Sequence, residues 1–224
     1  MEISIPHAGV AVRTGAERAT LVRRTYLLVL AGVVLTVGGV MFAFSQPALL
    51  ETVSRHPIIT FICALIPLFM ATRVRATFPA NIGLALLFTF TMGVAISPIM
   101  YVYSRTQPEL LPQAAILTLT TFGVLTAYAW VSKRDFSAWG SFFIVGLWVL
   151  IGTSLLNMYF QNETASLWLA GGTVLVFSGL LIFDTWRLRN VYGPDDYVRA
   201  AVAIYLDLLN MFLAILRLLG GRRD

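Results

Sequence analysis

Apolar residues dominate this chain in seven long runs separated by short polar breaks. The runs cover about 26–44, 57–76, 82–103, 112–131, 139–159, 166–186 and 198–219. Each is close to the ~20 residues that a helix needs to cross the hydrocarbon core of a bilayer. The breaks, among them SQPALLETVSRH, RVRATFPAN and RLRNVYGPDDY, are too short to fold as domains, so they read as connections. The pattern predicts an all-α integral membrane protein built as one seven-helix bundle. Residues 1–25 form an N-terminal tail, 26–219 the transmembrane domain and 220–224 a short C-terminal tail.

Composition points the same way. Hydrophobic residues make up 58% of the 224 and charged residues 12%, about half the charged share of a soluble domain. The formal net charge of +5 therefore reads as an orientation signal rather than as affinity for nucleic acid. Arg13, Arg18, Arg23, Arg24, Arg73, Arg75, Lys133, Arg134, Arg187, Arg189 and Arg199 fall on one side of a seven-span chain. Arg55, Arg105, Arg217, Arg222 and Arg223 fall on the other. The excess places the N-terminus in the cytoplasm. The basic C-terminal tail is discordant, and a last segment that dips in and returns would move it inside.

The single cysteine, Cys63, excludes an internal disulfide and a cysteine-rich metal site. His7 and His56 fall in a tail and a loop, so no zinc cluster is expected within the membrane. Gly39 and Ala43 on the first span, and Gly171, Gly172 and Gly179 on the sixth, read as small residues that let helices approach closely. Pro67 and Pro98 are sites where kinks are expected, their freed backbone groups being satisfied by neighbours.

Two acids interrupt the last two apolar runs: Asp184 in GLLIFDTW and Asp207 in AIYLDLLN. A carboxylate at membrane depth costs roughly 2.5–3.5 kcal/mol on insertion scales, so a pair on consecutive helices suggests a site. Antiparallel neighbours would bring both into the inner half of the bilayer. Two adjacent negative charges in low dielectric cannot both ionise cheaply, so such a pair tends to hold one proton between them. Without that proton it is an oxygen cluster suited to a hard divalent cation such as calcium, with waters completing the shell. Asn210, three residues beyond Asp207 on the same helical face, is a candidate for one more oxygen. Arg73, or its close competitor Arg75, at the inner end of the second span is a candidate latch that pairs with one acid.

Plainer roles stand beside these. Asp184 can pair with Arg187 at i+3 and do nothing more, and Asp207 can serve an interhelical bond alone. Asp195 and Asp196 read as N-cap residues of the last helix. An intramembrane aspartyl protease also needs two acids on consecutive spans. Against it, Ile204-Tyr205-Leu206 precedes Asp207 in place of a glycine-rich loop, and the Pro-Ala-Leu at 47–49 is far upstream. HExxH, phosphate-loop and nucleophile-elbow signatures are missing, and no enzyme is expected.

The segments GLLIFDTWRL and AIYLDLLNMFLAILRLLG, with TAYAWVSKRDFSAWGSFF and LFTFTMGVAISPIM upstream, resemble the transmembrane Bax inhibitor motif (Bax inhibitor-1) family over most of the chain from Leu84 onward. The short N-terminus and few lysines look like a bacterial member of the inner membrane. The resemblance implies a seven-helix fold whose last helix is central and wrapped by the other six. It implies a pH-sensitive calcium leak governed by Asp184 and Asp207, with the basic latch of the second helix mapping to Arg73. Calcium is then the transported ion rather than a tightly bound cofactor, and protons and the lipid bilayer are the other partners. The resemblance also implies a link to cell-death suppression and, in bacteria, to membrane-protease partners. The runner-up function is accordingly a regulatory membrane protein that binds and modulates such a protease or another partner.

Overall fold

A computed structural model describes residues 15–73 and 79–221, with the side chains of 71–73 excepted. Eight helices follow in order: α1 (Gly15–Ser45), α2 (Pro47–Arg55), α3 (Pro57–Arg73), α4 (Ala80–Thr106), α5 (Leu110–Val131), α6 (Trp139–Phe160), α7 (Glu163–Asn190) and α8 (Tyr197–Gly220). Six are long and apolar enough to cross a membrane on their own, and the pair α2–α3, bent by 105°, supplies a seventh candidate.

Neighbouring contacts decide that count. Gly32 of α1 packs on Thr89 of α4, Gly39 on Phe90 and Gly93, and Phe44 on Tyr101. Both helices therefore run in the same direction. A chain that leaves the end of α1 and starts α4 at the opposite end has to cross in between. α3 lies alongside α4, the Thr91 hydroxyl donating to the Ala64 carbonyl oxygen, and is the helix placed to make the crossing. Its 17 residues reach about 25 Å at 1.5 Å per residue. The segment 46–56, expected as a polar connection, holds instead the short helix α2, which packs on α1 and α4.

The same reading fixes the last helix. Arg24 of α1 lies over the Tyr197 ring and Thr36 meets Tyr205, so α8 is parallel to α1. Gly220 then reaches Tyr103 at the far end of α4. The helix is one uninterrupted crossing, and Gly221 emerges opposite the start of α1. The dip-and-return expected as an alternative does not occur. α1 extends back to Gly15, so residues 15–25, read as tail, are its first turns. Pro67 and Pro98 lie inside continuous helices.

α8 is the core of the bundle, with Ala200, Ile204, Tyr205, Met211 and Leu216 almost fully buried. It packs against α1, α4, α5 and α7, whereas α3 rests on α4 and α6 on α7 without reaching it. The expected wrapping by six helices is thus four helices in contact and two outside them. Small residues set the closest approaches. A Cβ at Gly39 would collide with the Phe90 carbonyl oxygen, one at Gly93 with the Thr36 carbonyl oxygen, and one at Gly179 with the Phe143 ring. Gly171, also expected at a close contact, faces open space. At the α1–α4–α8 junction the Thr36 hydroxyl lies 3.0 Å from the Thr89 carbonyl oxygen and 2.7 Å from the Tyr205 hydroxyl. Such bonds satisfy polar groups that lipid cannot.

Candidate functional site: an acid pair beneath the α7–α8 turn

Asp184 stands one and a half turns before the end of α7, and Asp207 nearly three turns into α8. The two helices are antiparallel, with Ser178 on Met211 and Leu167 against Gly221. This register puts both acids at one level, in the half of the bundle nearest the α7–α8 turn. Their carboxyl groups meet within hydrogen-bonding reach. They are 7% and 3% exposed. Oδ2 of Asp207 meets no N–H or O–H donor among the described residues.

Asp184 also takes a cation. Arg187 Nη1 donates to its Oδ1 at 3.1 Å. The guanidinium lies 4.6 Å from the Tyr192 ring centroid and 5.4 Å from that of Phe183, so two aromatic faces hold it in place. The plain i+3 pairing and the acid–acid contact are therefore both present. Arg199, in the first turn of α8, adds a second positive charge near Asp184. Arg73 ends α3, but its side chain, like all of Arg75, lies outside the described residues. Arg187 is the guanidinium seen on the acid pair.

Tyr192 caps the site from the α7–α8 connection. Its N–H donates to the Arg187 carbonyl oxygen. The ring is buried and the hydroxyl has no partner among the described residues. Burial first, and then the nearby Asp184 carboxylate, push its phenol up to about 12 from an ordinary value near 10. Asp196 stands at the N-cap position of α8, as expected, but its carboxylate does not bond the helix N-terminus. It turns back and accepts from the Gly193 N–H at 2.7 Å, bracing the turn beside Tyr192.

Asn210 does not add its amide to the acids. Its Nδ2 donates to the Leu206 carbonyl oxygen, and the residue lines a cavity of about 460 Å³ with Tyr103, Ser154, Thr173 and Arg217 towards the opposite end. Thr185, next to Asp184, is fully buried, and its hydroxyl has no partner among the described residues. Among the described residues no group of three or more Asp, Glu, His or Cys side chains could hold a metal ion. Two carboxylates are what the site offers a cation, with water needed for the rest of a calcium shell.

Sequence reasoning missed Tyr192 and counted Arg187 only as a bland partner. The i+3 spacing was the available signal for Arg187. Nothing in RNVYGPDD marks Tyr192, because its stacking depends on how the turn folds back.

Known proteins resemble this chain over most of its length. The sequence pattern of the family described as "Inhibitor of apoptosis-promoting Bax1" matches residues 18–224. The chain is 35% identical to Protein lifeguard 4 of Mus musculus over 206 residues, covering 90% of this chain and 85% of that protein. It is 32% identical to Bax inhibitor 1 of Schizosaccharomyces pombe over 209 residues, 91% of this chain and 77% of the relative. A bacterial "Uncharacterized membrane protein" of Vibrio cholerae is 37% identical over 143 residues, 62% and 63% of the two chains.

Proposed function

Because this chain belongs to the Bax inhibitor-1 family, we propose that it is a pH-sensitive leak pathway for calcium, controlled by the Asp184–Asp207 pair. The observation that carries this reading is the meeting of two buried carboxyl groups on consecutive helices of a membrane bundle. Facing carboxyl groups in low dielectric keep a proton between them at low pH and release it as pH rises. The released state is an anionic oxygen pair that attracts a hard cation. Arg187 competes for the same Asp184 oxygen, so a cation passes only when the guanidinium yields.

The clustering of basic residues around the start of α1 and the α5–α6 and α7–α8 connections supports a cytoplasmic N-terminus. The bacterial relative and this charge pattern favour an inner-membrane location. The acid pair then lies in the cytoplasmic half, with the 460 Å³ cavity in the outer half.

Calcium entry into proteoliposomes loaded with an indicator dye tests the proposal. Flux should depend on pH, and Asp207→Asn should flatten that dependence. A wild-type flux no greater than that of empty vesicles, or an unchanged profile in the variant, overturns it.

A second reading, a regulator that binds another membrane protein such as a protease, draws on the names of relatives, "Bax inhibitor 1" and "Golgi anti-apoptotic protein". Partner capture from membranes that survives the Asp184→Asn, Asp207→Asn double change, together with absent flux, selects this reading.

A further inference from the structure

The backbones of α1 and α5 do not come into contact among the described residues. Between them lies a cavity of about 420 Å³ that runs back to α4 and α8. Its floor is Tyr205, Leu208, Leu209 and Phe212 of α8. Val37 and Met41 of α1 and Leu119 of α5, at its rim, are each more than half exposed. The opening therefore faces sideways, towards lipid.

Both ends of this window are closed. Tyr26 of α1 meets Phe122 of α5 edge to face at 6.2 Å, at the end nearer the acid pair. At the other end Phe44 rests edge-on against Tyr101 at 5.5 Å, with Leu111 beside it.

The lining presents carbon alone. The hydroxyls on its walls are spent elsewhere, Thr118 donating to the Ala114 carbonyl oxygen and Thr36 and Tyr205 engaged with each other. Water needs two to four polar partners to occupy a cavity and finds none here. An empty space of this size would forfeit the dispersion contacts of its walls. An occupant has to be aliphatic, long and thin enough for a slot between two helices, and able to enter from the bilayer.

From this we infer that the α1–α5 window is a binding site for one acyl chain of a bilayer phospholipid. The chain lies against Leu208 and Leu209, the residues that follow Asp207, with its headgroup remaining at the membrane surface. This site stands independently of the cation pathway.

Photo-crosslinking tests it. The full chain is reconstituted in vesicles containing a phospholipid with a diazirine at mid-acyl chain, irradiated, and its adducts mapped by mass spectrometry. Leu208 and Leu209, both under 9% exposed, should carry adducts in yields similar to Trp148 of α6, which is 69% exposed. Ala115→Phe, which fills the slot from α5, should lower the Leu208 and Leu209 adducts at least five-fold and leave Trp148 unchanged. Leu119→Trp at the rim should do the same and stands in if the first variant does not fold. Adducts confined to exposed faces such as Trp148, or Leu208 adducts indifferent to both substitutions, overturn the inference. So does labelling of the slot by a photoreactive free fatty acid with none from the phospholipid.

Discussion

Arg187 binds Asp184 at 3.1 Å while its guanidinium lies 4.6 Å from the Tyr192 ring centroid. The aromatic contact holds the cation over the acid pair, so the two interactions act as one lid. Hydrogen bonds to charged groups contribute about 1.5–3 kcal/mol, and partial exposure of the arginine lowers that. Arg187→Gln should therefore destabilise by about 1–2 kcal/mol. Adding Asp184→Asn should recover much of the loss, which a double-mutant cycle of thermal unfolding in detergent measures. Under the proposed pathway Tyr192→Leu should raise calcium flux several-fold, since the guanidinium leaves Asp184 more easily. Strict additivity of the two stability changes would show that the pair is not coupled.

The Tyr192 phenol gives a pH prediction outside the membrane spans. Its folded value of about 12 exceeds the ordinary 10. Between those values the unfolded chain has lost the proton that the folded chain keeps, so stability falls as pH rises from about 10 to about 12. Below pH 10 the group has no effect. Wild type should accordingly lose up to about 2 kcal/mol in that window relative to Tyr192→Phe. The ultraviolet difference spectrum between the two proteins should show a phenolate appearing near 12. A component at 10 would mean that the ring is wet.

Much of the fold was readable because a bilayer demands long apolar runs and satisfied backbone groups. All seven runs contain helix, and both acids were visible as violations of apolarity. What escaped was everything set by a turn or a neighbour. The 46–56 segment looked polar, yet its amphipathic pattern let it fold as α2 against α1. Asn210 shares a helical face with Asp207, but i+3 spacing does not say which of two cavities that face meets. Tyr192 reaches Arg187 through a turn held by its own N–H on the Arg187 carbonyl oxygen and by the Gly193 N–H on Asp196.

Gly39 and Gly93 test how closely α1 and α4 must approach. A methyl group on either would meet a backbone carbonyl of the other helix, which cannot swing aside as a flexible side chain can. Gly39→Ala and Gly93→Ala should each cost about 1–3 kcal/mol through overpacking. Gly38→Ala is the control, since its Cβ would meet nothing within 4 Å, and it should be neutral or stabilise by up to about 1 kcal/mol through helix propensity. Equal effects at positions 38 and 39 would mean that helix propensity, not packing, decides.

Asp207 separates a structural acid from a functional one. Its side chain is almost fully buried, and Oδ2 has no N–H or O–H donor among the described residues. An acid kept for interhelical bonding would be expected to have its oxygens satisfied. Replacing it with the neutral, near-isosteric Asn removes a group whose charged form costs a few kcal/mol at this depth. Asp207→Asn should therefore raise stability by about 1–2 kcal/mol, or several degrees in thermal midpoint at the usual 2–4 °C per kcal/mol for this size. The same change should remove pH-dependent calcium flux, as expected where activity requires a destabilised site. Lowered stability combined with unaltered flux would identify Asp207 as a strut of the bundle and leave the cation pathway without its central residue.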